Sequence, residues 1–148
     1  MITSLARRAS LSLLLLGCRP AAPHATPEGA PDRSPHQARF VTVAPGVSLE
    51  VLEWGGEGVP LVFLSGLQDV AHGFDDFAPQ FADRHRVLAI TRRGYGASSQ
   101  PSTGYDLASR VADLAAVLDS LGLRRVVLAG HSIAGDELTG FAGQYPER

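Results

Sequence analysis

Apolar residues recur along this chain in two rhythms. Phe40-Val41-Thr42-Val43 and Val47-Ser48-Leu49-Glu50-Val51-Leu52-Glu53-Trp54 alternate apolar and polar, with Pro45-Gly46 between them as a turn signal. That pattern predicts a hairpin with one buried face. Three stretches, 61–64, 86–90 and 125–129, are apolar without alternation apart from the leading Arg86 and Arg125, as expected of strands covered on both faces. Between them the period lengthens. Phe74, Phe77 and Phe81 predict a short helix over 75–81. Leu107, Val111, Leu114, Leu118 and Leu121 form a continuous stripe, predicting a helix over 107–121. Asp106 stands at its N-cap position and Gly122 at its C-terminal stop. A further helix is expected from 133 to about 145. Strands alternating with helices predict an α/β fold, a mostly parallel sheet flanked by helices.

The segment before residue 40 has neither rhythm. Arg7 and Arg8 precede the apolar stretch Leu11-Ser12-Leu13-Leu14-Leu15-Leu16, and Gly17-Cys18 follow. This is the layout of a secretory signal peptide, too short to span a bilayer. Leu15-Leu16-Gly17-Cys18 resembles a bacterial lipobox. The resemblance implies cleavage before Cys18, lipid attachment to it, and anchoring in the membrane of a bacterial cell envelope. The rival reading is a plain signal peptide with a chance cysteine, giving a secreted or periplasmic protein. Residues 18–39 hold five prolines (Pro20, Pro23, Pro27, Pro31, Pro35) and no large aliphatic residue, so they read as a disordered spacer. His24 and His36 within it are expected to be solvated rather than metal ligands. The expected organisation is therefore a signal peptide over 1–17, a linker over 18–39 and a folded portion over 40–148.

Charge narrows the function. All 13 basic residues of the 148 are Arg, and the net charge is −2. From Phe40 onward 8 Arg face 13 Asp plus Glu, a balance of −5 that argues against a nucleic-acid surface. A single Cys excludes an internal disulfide.

The chemistry concentrates in Gly130-His131-Ser132-Ile133-Ala134-Gly135, between a predicted strand and a predicted helix. Small residues flanking a serine at such a turn fit a nucleophile elbow. A helix starting there aims its free N–H groups and dipole at the site. The competing reading of Ser132 is an ordinary helix N-cap. His131, adjacent to Ser132, should point elsewhere and pack beside the turn. His72 reads as a loop surface residue and His85 as solvated. Asp75-Asp76 and Asp136-Glu137 read as solvated or capping charge, and Arg92-Arg93 as partners of surface carboxylates.

Over 40–148 the chain resembles the α/β-hydrolase superfamily. The resemblance is carried by the opening hairpin, by Leu64-Ser65-Gly66 after the third strand, by Arg92-Arg93-Gly94-Tyr95-Gly96-Ala97-Ser98 after the fourth, and by Gly130 to Gly135 after the fifth. It implies that Ser132 is a nucleophile and that the backbone N–H groups of Leu67 and Ile133 form an oxyanion hole. It implies structural roles for Gly130 and Ala134 in the tight turn, and for Gly135 in close helix–sheet packing. No cofactor and no metal are implied. The sequence departs from the family's usual pattern at Ala134 (often Gly), Ser65 (usually His) and Thr91 (often Asp). In the family the acid and the histidine base follow the nucleophile, and no residue here matches either. The chain therefore reads as the N-terminal part of an exported serine hydrolase of small ester-like substrates, acting through an acyl-enzyme and with little turnover by itself. Two alternatives stand beside it: a non-catalytic lipoprotein using half of the fold as a binding module, and a truncated gene product without function.

Overall fold

In the computed structural model, residues 35–148 are described; Cys18, the segment read as a signal peptide and most of the segment read as a spacer lie outside them. Among the described residues the five strands are β1 (Gln37–Ala44), β2 (Val47–Gly55), β3 (Leu61–Leu64), β4 (Val87–Ile90) and β5 (Val127–Gly130). The helices are α1 (Leu107–Ser120) and α2 (Ala134–Gln144). Among the described residues no helix is long and apolar enough to cross a membrane.

The strands form one sheet in the order β1-β2-β4-β3-β5. The hairpin strand β2 pairs antiparallel with β1 and with β4, while β3 lies parallel between β4 and β5. The α/β class is as expected, with the antiparallel pairings confined to the hairpin side.

Each face of the sheet carries its own apolar layer. On one, Leu49, Val51, Val62, Leu64, Leu88 and Ile90 meet the stripe of α1 and Ala134 and Phe141 of α2. On the other, Leu52, Trp54, Phe63 and Ala89 meet two 3-10 turns, Ala71–Phe74 and Ala78–Phe81. These turns replace the single helix expected over 75–81. Pro79 lacks an N–H, and its ring would strike the carbonyl one turn earlier, so a continuous α-helix through it is disfavoured. The phenylalanines still pack: Phe63 lies 5.0 Å from Phe74 and 5.7 Å from Phe81, centroid to centroid.

Helix α1 has both expected ends. Asp106 accepts the N–H of Ser109 at 2.9 Å. At the other end Gly122 has φ +68°, its N–H reaches Asp119 O, and Leu123 N–H reaches Leu118 O, a Schellman motif.

Three expectations are corrected here. Strand β2 is buried on both faces, Glu50 included, because β1 and β4 flank it and helices or turns cover each side. Strand β5 is half-exposed rather than buried, with Val127 44% exposed, because among the described residues it pairs with β3 alone. Strand β1 begins at Gln37, inside the stretch read as spacer. Its first residues, paired with Glu53, Leu52 and Val51, are exposed and so carry no apolar signal.

Candidate active site

Parallel pairing of β3 with β5 brings Leu64 opposite Gly130, so the loops leaving both strands emerge side by side. One loop is residues 65–70; the other is His131-Ser132-Ile133. The second is sharp. A Cβ on Gly130 would lie 2.6 Å from Ala134 Cβ and 2.9 Å from Leu64 O, so Gly130 has no room to grow, and Ala134 beside it is fully buried. Ser132 is exposed and left-handed, with φ +58°. For a non-glycine residue this costs of order 1–3 kcal/mol and must be held by its surroundings. Ile133 is back in the helical region at φ −57°, and α2 starts immediately after it. Ala134 N–H bonds to His131 O and Gly135 N–H to Ser132 O. The N–H of Ile133 has no partner among the described residues. A Cβ on Gly135 would meet nothing within 4 Å, so among those residues packing does not require glycine there. The close approach of α2 occurs at Gly140 instead, where a Cβ would sit 3.0 Å from Val111 of α1.

The 65–70 loop is fixed at four points. Gly66 N–H donates to His131 Nε2 at 3.1 Å. A Cβ at Gly66 would lie 2.6 Å from His131 Cε1, so the ring lies flush against the loop. Ser65 Oγ donates to Asp69 O at 3.1 Å. Arg92 Nη1 donates to Gly66 O at 3.2 Å. At the loop's end Ala71 N–H donates to Thr91 Oγ1 (2.9 Å), which itself donates to Glu50 Oε2 (2.7 Å). Leu67, at the crest, is 57% exposed, and its N–H has no partner among the described residues. Thus two unbonded N–H groups, from Leu67 and Ile133, belong to adjoining loops beside Ser132. Among the described residues Ser132 Oγ makes no hydrogen bond.

Beneath the loops lies charge that the sequence reading placed on the surface. Arg92 Nε donates to Glu137 Oε1 at 2.6 Å, with both side chains buried. Arg110 lies 3.2 Å from the same carboxylate oxygen. Arg93 grips buried Asp113 of α1 with both Nε and Nη2. Hydrogen bonding to Asp113 raises the Arg93 pKa above its ordinary value. These arginines therefore pair with buried carboxylates, not surface ones. Glu137 lies on the face of α2 that carries Phe141 and Ala134 inward, and helical spacing from those residues is the signal that locates it. His85 is also held: its Nδ1 donates to Val59 O at 2.9 Å.

His36 departs furthest from expectation. Its side chain is 3% exposed, bonded to Asp75 at 2.6 Å and packed edge-on to Trp54. Asp75 is thus a partner rather than a solvated charge. His72 is half-exposed, as expected of a loop residue, but it too bonds to Asp75.

Known proteins resemble this chain in sequence and fold. Residues 59–148 match the family model described as the alpha/beta hydrolase fold. A non-heme chloroperoxidase of Streptomyces lividans is 38% identical over 106 residues, covering 70% of this chain and 38% of the relative. A bifunctional esterase/perhydrolase of Acinetobacter calcoaceticus is 33% identical over 115 residues, covering 72% of this chain and 40% of the relative. The crystal structure of wild-type Cfl2 from Burkholderia cenocepacia superposes with a TM-score of 0.71 at 34% identity, over 76% of this chain and 38% of that one. The chain thus spans about two fifths of the length of the relatives it matches.

Proposed function

This chain belongs to the α/β-hydrolase family, and from that premise we propose that Ser132 is the nucleophile of a serine hydrolase acting on small ester-like substrates. The observation that supports it most is the left-handed backbone of Ser132, in a turn too tight for larger neighbours and beside two N–H groups without partners. Strain of this kind raises a side chain clear of the backbone.

In the proposed reaction Ser132 Oγ attacks the carbonyl carbon while a base takes its proton. The carbonyl oxygen becomes an oxyanion and accepts hydrogen bonds from the N–H groups of Leu67 and Ile133. Preorganised donors of this type each contribute about 2.7–4 kcal/mol to the transition state. The N-terminus of α2 adds its dipole. Collapse breaks the ester C–O bond, the alcohol leaves with a proton, and an acyl-Ser132 ester remains. Water then attacks that ester, and the acid departs with Ser132 restored. Hydrogen peroxide in place of water would give a peracid, the outcome suggested by the esterase/perhydrolase relative. The histidine base and its acid partner are not among the site residues described, so turnover depends on groups beyond them.

A fluorophosphonate probe tests the nucleophile. Labelling that is lost in Ser132→Ala supports this assignment; equal labelling of both proteins refutes it.

We further propose that the enzyme is exported and held at a bacterial membrane by lipid on Cys18, with the proline-rich segment as tether. The signal-like leader and the lipobox match support this reading. Expression with labelled palmitate tests it: label in the parent and none in Cys18→Ala is expected, and an unlabelled parent refutes it.

A further inference from the structure

We propose that His36, His72 and Asp75 form a binding site for a divalent transition-metal ion of the zinc type. Three observations converge. First, Asp75 presents one carboxylate oxygen to each imidazole: Oδ1 lies 2.6 Å from His36 Nδ1, and Oδ2 lies 3.2 Å from His72 Nδ1. One donor atom from each residue fits within 4.8 Å of the others. A tetrahedral zinc ion with bonds of about 2.0–2.1 Å needs donors roughly 3.3 Å apart, so side-chain rotations of about an ångström complete the set. Two nitrogens and a carboxylate oxygen are donors that suit zinc, cobalt and nickel.

Second, His72 has a carboxylate beside its far nitrogen. Its Nε2 lies 3.5 Å from Glu50 Oε1, and the other oxygen of Glu50 is fixed by Thr91 Oγ1. A carboxylate on the far nitrogen of a ligating histidine sets the ring's tautomer and direction. Here Glu50 lies within ion-pair reach of Nε2, while Nδ1 is hydrogen-bonded to Asp75. Third, the burial is graded. The His36 side chain is 3% exposed, Asp75 19% and His72 41%, so the cluster is closed on one side and open on the other. The open side admits the ion and leaves a position for a water ligand.

The ligands come from separate parts of the chain. His36 directly precedes β1, whereas His72 lies on the 3-10 turn that follows the 65–70 loop and Asp75 caps the end of that turn, three residues on. An ion held between them would staple the start of the edge strand to the turn behind Leu67. Its role is structural and independent of the Ser132 chemistry.

The chain's single tryptophan supplies the test. Trp54 packs edge-on against His36 with ring centroids 5.8 Å apart, and a paramagnetic ion on His36 quenches indole fluorescence at that range. Full-length chain carrying Cys18→Ser, freed of metal, is titrated with Co²⁺ and with Zn²⁺. The expected result is one ion per chain, Trp54 fluorescence quenched by Co²⁺ and recovered on displacement by Zn²⁺. Zinc at about five times its dissociation constant should raise the melting temperature by about 5 °C, the shift that 1 kcal/mol of linked binding gives a domain of this size. His36→Gln and His72→Gln should each weaken cobalt binding at least tenfold, while His24→Gln and His85→Gln should not. Failure of the parent to retain an ion overturns the proposal, as does binding that leaves Trp54 fluorescence unchanged. Undiminished binding by the His36→Gln/His72→Gln double variant also overturns it. The quenching readout uses unaltered site residues, so misfolding of a variant does not decide the outcome.

Discussion

The N–H of Gly66 is donated to Nε2 of His131 across 3.1 Å, joining the loop after β3 to the residue before Ser132. His131 is therefore a spacer between two loops rather than a proton carrier for its neighbour. Replacing it with Ala leaves Gly66 N–H unbonded and removes the ring that the loop rests on. His131→Ala should lose about 1–3 kcal/mol of stability, measured by urea unfolding. Fluorophosphonate labelling should slow by more than about tenfold, because misplacement of an oxyanion donor by an ångström is enough for that. Unchanged labelling would mean that the contact does not position the loop.

The elbow offers a sharper contrast between two glycines. A Cβ at Gly130 would collide with Ala134 Cβ and Leu64 O, so Gly130→Ala should cost about 1–3 kcal/mol as overpacking. At Gly135, inside α2 with open space around it, the same change should stabilise by about 0.5–1 kcal/mol through helix propensity. Thermal melts of both variants decide this, and equal effects would contradict the packing described.

Glu137 faces two guanidinium groups, those of Arg92 and Arg110, in a buried setting. Glu137→Ala leaves these charges without their carboxylate and should cost about 3–5 kcal/mol. Asp136→Ala, one residue earlier and exposed, should change stability by less than about 0.5 kcal/mol. Chemical denaturation of the two variants side by side measures the difference. Arg92 also holds Gly66 O, so Glu137→Ala should slow labelling of Ser132 as well.

The hairpin side of the sheet carries an acid-sensitive clamp. The hydrogen bond from Arg86, aided by Arg39, holds the Glu53 carboxyl below its ordinary value of 4.5 despite partial burial. In the window between that value and the lowered one, the unfolded chain binds the proton and the folded chain does not. The Glu53 contribution is thus complete above about pH 5 and is lost as the pH falls through the lowered value. Glu53→Gln should flatten the acid limb of a stability-versus-pH curve and leave its slope near neutrality unchanged. A curve of unaltered shape would exclude Glu53 as the source of that limb.

Local periodicity made the helices, the strands and the elbow legible. The stripe from Leu107 to Leu121 located α1, and Asp106 and Gly122 marked its ends. Buried charge was not legible. Glu50 alternates with apolar residues as a solvent-facing residue would, and only the covering of both faces of β2 encloses it. The partners of Arg92 and Arg93 lie 45 and 20 residues away, beyond the reach of any local pattern. The setting of His36 is hidden from local pattern for the same reason. Its proline-rich neighbours describe the chain before it, while its partners, 39 and 36 residues on, become neighbours only once the sheet has formed.

The left-handed turn at Ser132 also bears on how such a sequence persists. Glycine adopts φ near +58° freely, whereas a side chain there loses of order 1–3 kcal/mol. Selection for thermal endurance alone would favour glycine at 132. A chain that carries serine there forgoes that gain, so the hydroxyl group stands at this turn at a cost in stability.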